Sequence, residues 1–200
     1  GADISVMTGF KEWFGHGQIY RLETTFRCPQ EICDVSSRFV SKNPAQLEKS
    51  ISSVTPAIGS AIQAFQVGNR NELQGAVAQY LADLYQSLVD GVVPAGRGGR
   101  VTVFILGRYK NDRQYVPEGW HDWFGDRIEL KFKTIHTSKG DEADYVILPG
   151  LVARGFPNVK SDDPVLGLVM PEGDTYQHSE ERRLFYVALT RARRSVAMFT

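Results

Sequence analysis

Residues 134–148 read Thr-Ile-His-Thr-Ser-Lys-Gly-Asp-Glu-Ala-Asp-Tyr-Val-Ile-Leu, and residues 180–193 read Glu-Glu-Arg-Arg-Leu-Phe-Tyr-Val-Ala-Leu-Thr-Arg-Ala-Arg. The first stretch is a polar turn between two apolar runs, Ile128 to Ile135 and Tyr145 to Leu148, each of strand length. The second reads as a helix, capped by Ser179, from Glu180 to about Arg193. Leu184, Val187, Ala188 and Ala192 fall on its apolar side. Ser195 to Phe199 is then a closing strand. Strand, polar turn, strand, helix, strand is the pattern of an α/β domain built on a parallel sheet.

The same alternation extends towards the N-terminus. Val101 to Leu106 is nearly all apolar, as expected of a strand buried on both faces. Gly91 to Arg100 before it is a glycine-rich loop, in which Gly96-Arg-Gly-Gly-Arg reads as a surface hairpin. Leu73, Val77, Tyr80, Leu81, Leu84 and Leu88 recur at helical spacing. Asn69 and Glu72 form a capping-box-like pattern ahead of them. Ala61 to Val67 reads as a strand, and Pro44 to Ser60 as a polar loop. Pro29 suits the first turn of a helix that runs to about Ser41 and stops at Asn43-Pro44. Ile19 to Thr24 is a further expected strand. Phe156 to Tyr176 reads as a surface excursion. Trp120, Trp123 and Phe124 read as anchors of a local core rather than as a stacking platform for bases.

Lys+Arg and Asp+Glu both number 23, so the net charge is zero and nucleic-acid binding requires a local patch. Two cysteines, Cys28 and Cys33, do not make a zinc site or a disulfide framework. No apolar run reaches the length of a membrane span, and no secretory signal opens the sequence. These features suit a monomeric cytoplasmic domain of 200 residues.

Several residues carry chemistry. In open parallel sheets ligands gather at the carboxyl ends of strands. Thr25-Phe26-Arg27, Gly107-Arg108 and the loop from Thr134 to Glu142 are all expected at such positions. Arg27 is either a surface arginine paired with Glu31 or a phosphate clamp, since guanidinium binds oxyanions bidentately and stays charged. Thr134, His136, Ser138 and Lys139 concentrate hydroxyl, imidazole and ammonium groups beside the amides around Gly140, a set suited to phosphate oxygens. Arg182, Arg183, Arg193 and Arg194 read as solvated charges, some paired with Glu180 and Glu181.

The two opening stretches resemble motifs V and VI of UvrD/Rep-type superfamily 1 DNA helicases. Leu22-Glu-Thr-Thr-Phe-Arg-Cys-Pro-Gln-Glu-Ile resembles their motif IV, with Phe26 where tyrosine is common. The resemblance covers nearly the whole chain. It implies a RecA-like three-layer α/β/α domain, the second (2A) motor domain of a helicase. It implies that Arg191 is an arginine finger, that Arg27 meets the γ-phosphate and that Phe26 stacks on the base. It further implies that Glu142, beside Gly140, takes a ribose hydroxyl. Thr134 and His136, with Ser138 and Lys139 in the same loop, would contact single-stranded DNA. ATP and Mg2+ would be held mainly by an N-terminal RecA-like domain, because neither a phosphate loop nor a strand ending in Asp-Glu is found here. No metal ligand is assigned to this chain.

About a hundred residues separate Arg27 from Thr134, too few for the large accessory insertion of most family members and closer to helicase IV-type members. The resemblance also implies that the chain starts where the first motor domain ends and hydrolyses ATP negligibly by itself, with translocation 3′ to 5′. Two other classes stay open: a RecA-like binding or regulatory module without motor activity, and part of a helicase–nuclease fusion.

Overall fold

The computed structural model describes residues 9–18, 20, 22–44, 50–152, 155–158, 176 and 178–200. Its centre is a five-stranded sheet of β3 (Ile62–Phe65), β4 (Val101–Gly107), β5 (Ile128–Thr134), β6 (Ala143–Leu148) and β7 (Ala192–Phe199). The order is β3-β7-β6-β4-β5, and every pairing is parallel. A separate two-stranded parallel ribbon joins β1 (Thr24–Thr25) to β2 (Ser52–Ser53).

The strand residues alternate between two cores. Phe104, Leu106, Val146, Leu148 and Val196 face one, with Ile32 and Cys33 of α2 (Gln30–Val40) and with Leu184 and Ala188 of α5 (Ser179–Leu189). Val103, Ile105, Tyr145, Ile147 and Phe199 face the other, with Leu73, Val77 and Leu81 of α3 (Leu73–Val89) and with Phe124 of α4 (Trp120–Phe124). Central strands are therefore apolar on both sides, and all six residues of β6 are buried. Each fully buried large aliphatic contributes about 1.5–3 kcal/mol relative to exposure. The result is a three-layer α/β/α domain of the RecA-like class. A short helix, α1 (Phe10–Phe14), has no buried residue.

Local punctuation follows the chain's chemistry. Pro29 stands at the N-cap of α2, where its missing N–H costs nothing. Asn69 is the N-cap expected, its side chain accepting from the Asn71 amide, but the reciprocal box with Glu72 does not form: Glu72 accepts from the Gly68 amide instead, and the cap opens a 3-10 turn, Arg70–Glu72, ahead of α3. Gly96 is required: a Cβ there would lie 2.1 Å from the Arg100 carbonyl oxygen.

Four expectations are corrected. The strand expected over Ile19 to Thr24 forms only at Thr24–Thr25, in the separate ribbon; Ile19 and Arg21 lie outside the described residues. The loop expected over Pro44 to Ser60 contains β2 as its partner. The N-cap of α5 is His178, held at φ 57, and Ser179 is the first helical residue. The helix ends at Leu189 rather than Arg193, so Arg191 sits in a turn, and Arg193 and Arg194 belong to β7. Most of the excursion over Phe156 to Tyr176 lies outside the described residues.

Candidate functional site

Three sequence-distant residues meet beside the start of α2. Arg27 lies just before that helix, Glu142 just before β6 and Arg191 just before β7. The Arg27 Nε donates to Glu142 Oε2 at 3.0 Å. Arg191 Nη1 donates to the Asp141 carbonyl at 3.2 Å, and its Nε to the Val187 carbonyl at 3.0 Å. The Arg191 guanidinium is thus laid over the C-terminal end of α5, where a cation is favoured by the helix dipole. Burial first, and the nearby Arg27 second, lower the pKa of Arg191, so the two guanidinium groups lie close enough to repel. Two like charges brought together this way favour an anion between them.

Glu142 is also approached from behind. Arg193 Nη1 lies 3.4 Å from Glu142 Oε1, and Arg193 Nη2 lies 3.1 Å from Asp144 Oδ1. Asp144 is buried, and it accepts from the Thr102 amide at 2.9 Å and from Arg194 Nε at 3.3 Å. Arg193 and Arg194 are therefore not the solvated charges expected from sequence. Nor does Arg27 pair with Glu31, whose carboxylate accepts from the Ala61 amide instead.

This cluster lies at the amino edge of the sheet, because Glu142 and Arg191 precede strands. The expectation of a single site at the carboxyl ends is corrected: Gly107 and Thr134 end their strands at the opposite edge. Residues 135–142 run back across the sheet face and connect the two edges, with Ile135 packed into the core on that side. One short loop thus has its first polar residues at one edge and Glu142 at the other.

At the carboxyl edge, Thr134 and Thr137 lock the turn. Their hydroxyls lie 3.0 Å apart, the Thr137 hydroxyl donates to the Thr134 carbonyl at 3.0 Å, and the Thr134 amide donates to Thr137 Oγ1 at 3.1 Å. His136 and Lys139 are exposed. Ser138 is fully buried and donates to the Ile135 carbonyl at 2.7 Å, so it shapes the turn from inside and does not face solvent. Gly140 adopts φ +92°, which an L side chain adopts only under strain. Lys133 on β5 pairs with Asp141 and depresses its pKa. Phe26 presents its ring to solvent at 78% exposure, next to Arg27.

A buried ion pair ties the carboxyl edge to α5. Arg108 grips Glu181 in a fork at 2.7 and 3.0 Å, with Glu181 2% exposed. The Asn158 amide adds a third donor at 2.9 Å. Trp120 and Phe124 pack as core anchors, as the sequence suggests, whereas Trp123 is exposed. Sequence reading missed Asp144, Thr102, Thr137 and the role of Arg193. Only the placement of Arg193 on a strand, where a charged residue demands a partner, could have revealed it.

Among the described residues, no group of three His, Cys, Asp or Glu side chains is placed to hold a metal ion. Glu142 and Asp144 are both engaged by arginines, so the donors present do not fit a metal. No helix among those residues is long and apolar enough to cross a membrane.

The sequence of this chain is similar to those of known proteins. The model of the UvrD-like helicase C-terminal domain matches residues 121–200. The chain is 34% identical over 199 residues to DNA helicase IV of Escherichia coli (strain K12), covering 98% of this chain and 26% of that protein. It is 40% identical over 65 residues to a probable DNA helicase of Mycoplasma pneumoniae, covering 32% of this chain and 11% of that one. The chain thus spans about a quarter or less of the length of these curated relatives. The motif stretches, the parallel sheet and these matches agree: this chain carries a UvrD-like helicase C-terminal domain.

Proposed function

We propose that this domain is the second motor domain of an ATP-dependent DNA helicase or translocase. In this reading it closes on an N-terminal RecA-like domain of the same protein around ATP. The observation that carries the reading is the convergence of Arg27, Glu142 and Arg191 at the amino edge, from positions far apart in the chain.

The roles follow from the chemistry. Arg191 reaches the transferred γ-phosphoryl group and stabilises the charge that builds there. Such a finger contributes about three to five orders of magnitude in rate. Arg27 exchanges Glu142 for a phosphate oxygen, a stronger partner for a guanidinium than an exposed carboxylate. Glu142, freed on one oxygen, accepts from a sugar hydroxyl, and Phe26 offers its exposed ring to the base. Magnesium and the phosphate loop are assigned to the N-terminal domain, and no step here is routed through the metal.

At the carboxyl edge, the locked Thr134–Thr137 turn with His136 and Lys139 holds the phosphates of single-stranded DNA. The loop from Thr134 to Glu142 has one end at each ligand, so domain closure around ATP is transmitted to the DNA contact within a few residues. Zero net charge implies that this domain alone binds DNA weakly.

The test compares this chain alone with the full-length protein in DNA-stimulated ATP hydrolysis. Negligible turnover by the chain and robust turnover by the full-length protein support the reading. Robust turnover by the pure chain contradicts it, since the catalytic groups would then not be divided between two domains.

A further inference from the structure

Strands β6 and β7 pair with a fault in register. Ala143 opposes Ala192 and Tyr145 opposes Ser195, so the single residue Asp144 stands opposite both Arg193 and Arg194. This is a β-bulge on β7, a feature that is uncommon between parallel strands and serves elsewhere to re-aim side chains beside functional sites. Consecutive residues of a regular strand point to opposite faces. Here both guanidinium groups reach the same buried carboxylate, at 3.1 and 3.3 Å.

The two arginines then diverge. Arg194 turns to the Pro94 and Ala95 carbonyls, at 2.6 and 3.1 Å, and ties down the glycine-rich loop. Arg193 turns to Glu142, and its Nη2 also lies 3.4 Å from the Thr102 hydroxyl. The Nε of Arg193 is buried without a hydrogen-bond partner. A buried donor left unmade costs about 1–3 kcal/mol, so the orientation of this side chain is not set by its own best hydrogen bonding. It is set by the two carboxylates that it bridges.

We propose that Arg193 is a positioning residue for the nucleotide site: anchored on Asp144 by the bulge, it fixes the Glu142 carboxylate for recognition of the nucleotide sugar. The inference rests on the reading of Glu142 as the sugar contact. It explains how Glu142 keeps its place when Arg27 leaves it for phosphate. One carboxylate oxygen faces Arg27 and the other faces Arg193, so the exchange at the first leaves the second held.

The experiment is steady-state ATP hydrolysis by the full-length protein at saturating single-stranded DNA, for wild type, Arg193→Lys, Glu142→Gln and the double variant. Lysine keeps a cation on Asp144, which preserves the fold, but a single ammonium does not bridge both carboxylates. Arg193→Lys is expected to raise KM for ATP roughly tenfold with kcat held within about twofold, the mark of lost ground-state binding. Glu142→Gln is expected to raise KM similarly, and the double variant to add little to either. Inhibition by tripolyphosphate, which has no sugar, is expected to be unchanged by Arg193→Lys. An unchanged KM in Arg193→Lys beside a raised KM in Glu142→Gln overturns the role of Arg193 and leaves the sugar contact standing. Additive effects, or weakened tripolyphosphate inhibition, also overturn it. An unchanged KM in Glu142→Gln overturns the sugar contact itself, and this inference with it.

Discussion

Arg27 and Glu142 are 115 residues apart in the chain and meet in an ion pair of 3.0 Å. Both side chains are more than a third exposed, at 36% and 43%. A pair so exposed contributes little to stability, about 0–1 kcal/mol. Its value lies in placing a guanidinium and a carboxylate at one spot beside Arg191. Arg27→Ala is therefore expected to leave the melting temperature of the domain nearly unchanged while strongly reducing ATP turnover by the full-length protein. A marked loss of stability in thermal melts would make Arg27 structural.

The Arg108–Glu181 fork makes the opposite prediction. Both partners are largely buried, and Glu181 holds three donors. Removing one partner strands the other, at a cost of about 3–5 kcal/mol. Glu181→Ala should lower the unfolding free energy from denaturant titration by that amount, with the midpoint falling in proportion. Replacing both residues with apolar side chains of similar volume should restore most of it. Equal destabilisation by the single and double variants would show that packing, not charge, is at stake.

The two thiols offer a chemical test. Cys28 and Cys33 lie 3.5 Å apart between sulfur atoms, and each is only 3% exposed. Burial, reinforced by the neighbouring Cys28 thiol, pushes the Cys33 thiol up to about 12. At pH 8 roughly one molecule in ten thousand carries that thiolate, the form that reacts. Iodoacetamide should leave the native chain unlabelled at Cys33 and alkylate it on unfolding. Rapid native labelling, read by mass spectrometry, would contradict the placement of α2 against the sheet.

The backbone at Gly140 supplies another test. At φ +92° a Cβ meets no neighbour, so the cost of Gly140→Ala is conformational and not steric. A left-handed residue costs an alanine about 1–2 kcal/mol. The loop should relax and displace Glu142, so the variant should lose stability by that amount and bind ATP more weakly in the full-length protein. Wild-type stability and affinity would show that the turn does not fix Glu142.

Much of the fold was legible because buried parallel strands and amphipathic helices write strong patterns. The runs Val101 to Leu106 and Tyr145 to Leu148, and the spacing from Leu73 to Leu88, all mark elements that formed. What failed had a physical cause. The arginines after Leu189 extend a helical pattern of charge, but the helix ends at its C-cap, Thr190, whose hydroxyl donates to the Tyr186 carbonyl at 2.9 Å. That boundary moved Arg193 and Arg194 from solvent onto a strand beside Asp144. The polar turn after Thr134 points to the carboxyl edge, because nothing in the sequence says that residues 135–142 return across the sheet with only the short 3-10 turn His136–Ser138. Ser138 looked like a ligand because a hydroxyl in a polar turn gives no sign of facing inward. Arg27, Glu142 and Arg191 were legible as individual residues; their meeting was a property of the fold.

The most direct test of the central claim is DNA-stimulated ATP hydrolysis by the full-length protein, wild type against Arg191→Ala, with nucleotide binding measured alongside. The account predicts a fall of about three to five orders of magnitude in turnover with ATP binding largely kept. Turnover close to wild type would contradict it, because Arg191 would then have no part in stabilising the charge on the transferred phosphate.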